Sequence, residues 1–123
     1  MPYNVTWSVE ITDEFEAWFK TLDETDQDAV RIGILLLESR GPSLGRPHAD
    51  TVKGSKHPNM KELRTQSAGK PIRSLFAFDP RRSAILLIGG DKTGDARFYD
   101  RMIPIADRLY DAYLDEIRKE GLI

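Results

Sequence analysis

The stretch KELRTQSAGKPIRSLFAFDPRRSAILLIGG, residues 61–90, decides the fold of this 123-residue chain. Two turn-forming segments, 67–70 and 79–82, divide it into three runs with strand character. The third run is continuously apolar up to Gly89-Gly90, which is typical of a central strand covered on both faces. The stretch therefore predicts an antiparallel meander. Its three predicted strands are 60–65, 72–78 and 84–88.

Ahead of the meander, the sequence predicts one strand and two helices. Residues 13–22 carry apolar side chains at helical spacing, and a second helical pattern runs from a candidate cap at Thr25 to Gly41-Pro42. Together they predict a helical hairpin rich in acidic residues. Apolar and polar residues alternate over 3–11, which predicts a half-buried strand. Its inward side chains would be Tyr3, Val5, Trp7, Val9 and Ile11.

Residues 41–58 keep no hydrophobic period and are rich in Gly and Pro, which predicts a long loop of functional importance. After the meander, apolar residues recur at helical spacing from Pro104, expected in the first turn, to a closing Gly121. The element order β-α-α-β-β-β-α predicts an α+β domain, and the length predicts one domain over residues 1–123.

Charge is unevenly distributed along the chain, although the net charge is only −2. Residues 1–39 carry −7, residues 40–101 carry +7, and residues 102–123 carry −2. The basic surplus falls on the long loop and the meander, which favours a face that binds a polyanion. The alternative interpretation is two acidic helices beside a sheet, with no functional meaning.

Several classes of protein are excluded by composition. The chain has no cysteine, so disulfides, thiolate metal sites and thiol nucleophiles are absent. No apolar run approaches the roughly 20 residues that span a bilayer, and the first residues do not resemble a signal peptide. We therefore expect a cytoplasmic protein without a membrane partner. The acidic residues show no metal-binding motif and the Gly89–Gly94 stretch lacks the order of a phosphate loop, so we expect neither metal nor cofactor.

Basic residues of the meander are the candidates for phosphate binding. Arg64 and Arg73 lie on its first two strands and Lys92 follows the third, so adjacent strands would bring them to one face. Arginine presents a planar fork to phosphate and lysine a point charge. Pairing of the arginines with Glu62, Asp79 or Asp91 is the structural alternative.

Further candidates lie in the loops. Arg97 would add charge, and Tyr99 could stack on a base. Lys53, Lys56 and Lys61 would contact phosphates. His48 and His57 could form an acid–base pair, although two loop histidines are more often ordinary surface groups.

The chain resembles the RelE/ParE superfamily of type II toxin–antitoxin toxins, and more narrowly its HigB-like, phage-related branch. The resemblance covers residues 3–117 and rests on the element order and on runs in the second half of the chain. Those runs are Lys61-Glu62-Leu63-Arg64, Ile72-Arg73, Phe76-Ala77-Phe78-Asp79, residues 87–94, Arg97-Phe98-Tyr99 and residues 103–110.

The resemblance implies a ribosome-dependent endoribonuclease that cleaves mRNA without a metal, by attack of the 2′-hydroxyl on the adjacent phosphate. Arg64 and Arg73 would hold that phosphate, and Lys92 would stabilise charge or help proton transfer. Tyr99 would stack on a nucleotide. The basic loop of these nucleases would correspond to Lys53, Lys56 and His57.

The resemblance also implies partners, and it leaves alternatives open. The expected partners are a helix-turn-helix antitoxin, the ribosome with its mRNA, and operator DNA through the antitoxin complex. An arginine on each of the first two meander strands also occurs in the ParE branch, which inhibits DNA gyrase and cuts no RNA. A non-toxic module that only binds an antitoxin is the third alternative.

Overall fold

In a computed structural model, which describes residues 6–123, a five-stranded sheet lies between helices on both of its faces. The strands follow the spatial order β1-β5-β4-β3-β2. The first strand is parallel to β5, and every other pair is antiparallel. In chain order the elements are β1 (Ser8–Ile11), α1 (Asp13–Lys20), α2 (Glu24–Arg40), a 3-10 turn (Gly41–Ser43), β2 (Ala49–Thr51), β3 (Lys61–Ser67), β4 (Lys70–Phe78), β5 (Ser83–Asp91) and α3 (Phe98–Lys119).

Strand β5 lies inside the sheet and contributes to both hydrophobic cores. Ala84 and Leu86 pack towards α1 and α2, while Ile85 and Leu87 pack towards α3. Alternation of side chains along a strand therefore explains why this segment must be apolar at every position. The prediction of a central strand covered on both faces is confirmed, as are the α+β class and the terminal helix.

The prediction of a long loop over residues 41–58 is wrong in part. The segment contains a 3-10 turn and the short edge strand β2, which pairs with β3 through Ala49–Leu63. Ala49 and Val52 are buried, in different cores. Three residues are too few to produce a recognisable period, which is why the pattern did not indicate a strand.

Helix α1 begins at Asp13, as predicted, but the starts of α2 and α3 differ from the predictions. Thr12 caps α1 by accepting a hydrogen bond from the Phe15 amide at 2.9 Å. Asp23, rather than Thr25, caps α2. Helix α3 begins at Phe98, so Pro104 lies inside it instead of in its first turn. The reason is tertiary: Phe98 is buried against the sheet and fixes the start of the helix there.

Two strand predictions are also corrected. Ile11 is 45% exposed because β1 is an edge strand, so the expected inward stripe does not extend to it. Tyr3 and Val5 lie outside the described residues. Gly89 and Gly90 do not end β5, which continues to Asp91. An aromatic ring lies directly over each glycine, so the missing side chains allow these rings to pack against the strand. Within residues 6–123, no helix is long and apolar enough to cross a membrane.

Candidate phosphate-binding site

Arg64 and Arg73 lie side by side on the face of the sheet that α3 covers. They are directly paired in the register of β3 and β4. Leu63 and Ile72, their neighbours along the strands, belong to the core on the opposite face. Directly opposed like charges destabilise a sheet unless a counter-charge is supplied. The two opposed guanidinium groups therefore destabilise the sheet unless an anion lies close to them.

Glu62 supplies a negative charge from within the protein. Its side chain shares the face of Arg64, two residues further along β3, and the residue is only 3% exposed. One carboxylate oxygen lies 3.4 Å from Nε of Arg64, and the other lies 3.6 Å from Nε of Arg73. The structural alternative weighed from the sequence, pairing of both arginines with Glu62, is thus present.

Tyr99 reaches the same carboxylate from the first turn of α3. Its hydroxyl donates a hydrogen bond of 2.7 Å to Glu62. Gly90 makes this placement possible, because a Cβ there would lie 2.8 Å from the Phe98 ring, which packs on the strand just before Tyr99. Burial and the neighbouring Glu62 raise the pKa of Tyr99, so its phenol stays protonated at neutral pH and remains a donor.

Lys92 joins the group from the end of β5. Its ammonium lies 5.0 Å from the centre of the Tyr99 ring, within the range of a cation–π contact. Its backbone amide donates to the carbonyl of Pro71 at the start of β4, which fixes this part of the chain beside the sheet. The structure therefore brings together four predicted residues: Arg64, Arg73, Lys92 and Tyr99.

A groove of about 310 Å³ opens beside this group, and we call it the arginine groove. That volume lies at the lower end of the range of ligand pockets. Its walls carry three cations and two carboxylates, so its charge is only weakly positive. The lining residues are Arg46, Asp50, Thr51, Val52, Lys53, Glu62, Arg64 and Tyr99.

Other predicted residues lie elsewhere. Lys56 and His57 both contact Asp111 of α3, the histidine through Nε2 at 2.8 Å, so they tie the loop to the helix. Lys61 shares the strand face of Leu63, opposite to that of Arg64. Arg97 is exposed at the start of α3. RNA binding by these four residues stays a prediction.

The suggested histidine acid–base pair gains no support from the contacts of the two residues. His48 contributes its backbone carbonyl, which accepts a hydrogen bond from the Arg64 amide at 2.8 Å. The ring of His57 packs edge-on against Tyr110, with centroids 4.7 Å apart, and contacts Asp111. These contacts do not bring the two imidazole rings together.

Sequence reasoning missed three charged residues of the groove, Glu62, Arg46 and Asp50. Glu62 was named only as a possible partner of the arginines, although its spacing of two from Arg64 places both on one strand face. Arg46 and Asp50 form an ion pair of 2.8 Å, and the Arg46 guanidinium lowers the pKa of Asp50. Strand β2 brings that pair to the groove, and its shortness left no signal in the sequence. No cluster of metal-binding side chains occurs among residues 6–123.

A separate polar cluster lies at the other edge of the sheet, near β1. Asp79 is buried and accepts hydrogen bonds from the Tyr113 hydroxyl at 2.6 Å and from the Arg81 backbone at 2.7 Å. Arg81 also contacts Glu10 at 3.0 Å. These contacts join the turn between β4 and β5 to α3 and β1.

The fold of this chain, a five-stranded sheet between a helical hairpin and a terminal helix, is similar to that of solved RelE-type toxins. A structure of the toxin RelE from E. coli, a double arginine-to-alanine mutant in the free state, matches with a TM-score of 0.57 and 8% identity over 76% of this chain and 90% of that one. The toxin–antitoxin complex RelBE2 from Mycobacterium tuberculosis matches with a TM-score of 0.54 and 18% identity, over 71% and 99% of the two chains.

Sequence comparison is more specific. Residues 17–111 match the family of phage-derived Gp49-like proteins. The Mycobacterium tuberculosis protein named toxin HigB3 is 52% identical over 102 residues, 82% of this chain and 88% of that protein. The one named toxin HigB2 is 43% identical over 113 residues, but this chain spans only 56% of its length. The chain belongs to the family of phage-derived Gp49-like proteins, and its close relatives include proteins named HigB toxins.

Proposed function

We propose that the protein is the toxin of a type II toxin–antitoxin system and acts as a ribosome-dependent, metal-independent mRNA endoribonuclease. The observation that carries the proposal is the direct opposition of Arg64 and Arg73 in the sheet, with Tyr99 and Lys92 close to this pair. Two adjacent guanidinium groups match the oxygen atoms of a phosphodiester. The names of the HigB relatives support the same class of activity.

In the proposed reaction, the 2′-hydroxyl of a nucleotide loses its proton to solvent and its oxygen bonds to the adjacent phosphorus. The bond from phosphorus to the 5′-oxygen breaks, the 5′-oxygen takes up a proton from solvent, and a 2′,3′-cyclic phosphate remains. Arg64 and Arg73 hold the phosphate and neutralise the charge that develops on it. Lys92 stabilises charge or helps proton transfer, and Tyr99 stacks its ring on a base. The groove is only weakly cationic, so we assign presentation of the mRNA to the ribosome instead of to bulk charge.

The proposed partner is a small helix-turn-helix antitoxin, with operator DNA bound through the complex. A solved relative of this fold is itself a toxin–antitoxin complex, which supports a protein partner. The antitoxin would cover the arginine groove or hold the toxin away from the ribosome. Mixing the two purified proteins and measuring complex formation tests this part of the proposal.

The test of the nuclease activity is to map mRNA ends after brief induction of the protein, alongside an Arg73→Ala, Lys92→Ala double variant. We expect cuts in translated mRNA that the double variant reduces at least about 100-fold. Arg118→Ala, an exposed charge at the far end of α3, is the matched control and should cut like the parent.

Two outcomes would overturn the nuclease proposal. Growth arrest with intact mRNA and damaged DNA would indicate a gyrase inhibitor of the ParE type. Harmless strong expression without an antitoxin would indicate a module that only binds its partner. If the protein is toxic and the double variant is equally toxic, Arg73 and Lys92 do not belong to its active site.

A further inference from the structure

The carboxylate of Glu62 is bonded unequally to its three neighbours. Its hydrogen bond from Tyr99, at 2.7 Å, has the length of a strong charge-assisted bond. Its distances to the two arginines, 3.4 and 3.6 Å, are longer than good guanidinium–carboxylate bonds. Glu62 therefore holds the tyrosine firmly and the arginines loosely.

Arg73 carries an unused donor at this point. Its Nε is buried and has no hydrogen-bond partner among residues 6–123, although Nη1 donates to the Ile72 carbonyl at 3.1 Å. A buried donor without a partner is a costly group that an incoming oxygen atom would satisfy. The loose contact with Glu62 and the unused donor belong to the same guanidinium group.

We propose that Glu62 is a positioning residue of the arginine groove: it fixes Tyr99, and its charge takes the place of the substrate phosphate beside Arg64 and Arg73 until RNA binds. The inference rests on the proposed function. The carboxylate offsets part of the positive charge of the arginine pair in the free protein. A phosphodiester oxygen then completes the bonding of Arg73, while Glu62 keeps its bond to Tyr99.

Two opposite effects follow from this arrangement. The negative charge of Glu62 repels an incoming phosphate, so its removal should tighten phosphate binding about tenfold at low salt. Loss of the charged acceptor should also loosen Tyr99, which misaligns the bound nucleotide and lowers turnover. Replacing a residue that has only a structural role would not raise the affinity for phosphate and lower kcat together.

The first arm of the experiment measures binding without cleavage. Inorganic phosphate and a short single-stranded RNA with a 2′-deoxy block at the scissile position are titrated into the parent, Glu62→Gln and Asp115→Asn. We expect about tenfold tighter binding of both probes by Glu62→Gln. Asp115→Asn removes an exposed negative charge from α3, and this variant should bind both probes as tightly as the parent. Unchanged or weaker binding by folded Glu62→Gln overturns the proposal, whether or not the protein cleaves RNA.

The second arm measures turnover on ribosome-bound mRNA. We expect Glu62→Gln to lower both KM and kcat, and Tyr99→Phe to lower kcat with phosphate affinity unchanged. Because Tyr99→Phe removes the hydrogen bond between Tyr99 and Glu62 and Glu62→Gln weakens the same bond, their effects on kcat should be strongly non-additive in the double variant. Additive losses overturn the positioning role. If Glu62→Gln fails to fold, the kcat of Tyr99→Phe alone decides this arm. If the parent does not cleave mRNA, the nuclease proposal is refuted, but the binding arm still tests the role of Glu62.

Discussion

Gly89 and Gly90 provide a test that separates the stability of the fold from the geometry of the site. They are neighbours on β5 but face opposite sides of the sheet. A Cβ atom on Gly89 would lie no more than 2.5 Å from three atoms of the Trp18 ring, towards α1. A Cβ atom on Gly90 would lie 2.8 Å from one atom of Phe98, with the next contacts at 3.4 and 3.5 Å.

These distances set the expected magnitudes. Overpacking costs about 1–3 kcal/mol, and Ala in place of Gly inside a strand returns roughly 0.5–1 kcal/mol. Gly89→Ala meets a whole ring, so its net cost should be about 2 kcal/mol of unfolding free energy. Gly90→Ala meets one atom and should cost less than about 1 kcal/mol. That small shift of Phe98 nevertheless moves Tyr99, so cleavage should fall about tenfold.

Urea unfolding followed by circular dichroism gives the free energies, and cleavage of ribosome-bound mRNA gives activity per folded molecule. We expect Gly89→Ala to be the less stable variant and Gly90→Ala to be the less active one. The reasoning fails if Gly90→Ala is the more destabilised of the two, or if Gly89→Ala loses as much activity per folded molecule. Either result would mean that the two faces of β5 are not independent.

Two further predictions concern the core and acid stability. Leu87→Ala should lower the unfolding free energy by about 2–5 kcal/mol because Leu87 is 0% exposed, whereas Leu35→Ala, at a 63% exposed position, should change it by less than about 0.5 kcal/mol in urea titrations. Burial opposes ionisation of Asp79, but hydrogen bonds from Tyr113 and Arg81 outweigh it and hold the pKa of Asp79 below its usual 3.8. The stability from this lowered pKa is present above about pH 4 and lost as pH falls through the lowered value, so Asp79→Asn should flatten the fall of the urea midpoint below pH 4. An equally steep fall in the variant would contradict this.

Much of the fold was predictable because its strands and helices carry strong periodic patterns. The continuous apolar run at residues 84–88 identified the central strand, and both cores confirm it. The errors occur where tertiary contacts decide. Phe98 is buried on Gly90 and starts α3 ahead of Pro104. Strand β2 exists only because β3 offers it a partner.

The site was predictable to the extent that register follows from strands. Arg64 and Arg73 were expected to meet on one face, and they are paired directly. The sequence could not assign Glu62 its central place, because its bond to Tyr99 crosses between distant parts of the chain. Nor could it indicate that Lys56 and His57 contact Asp111, since those contacts also depend on how α3 crosses the sheet.

The parallel pairing of β1 with β5 has a consequence for synthesis of the protein. The first strand has no neighbour in the sheet until β5 has been made, and Tyr99 arrives only with the last helix. Contacts so distant in sequence delay completion of the fold until most of the chain has been translated. A nascent chain therefore carries no finished arginine groove until β5 and the start of α3 have left the ribosome.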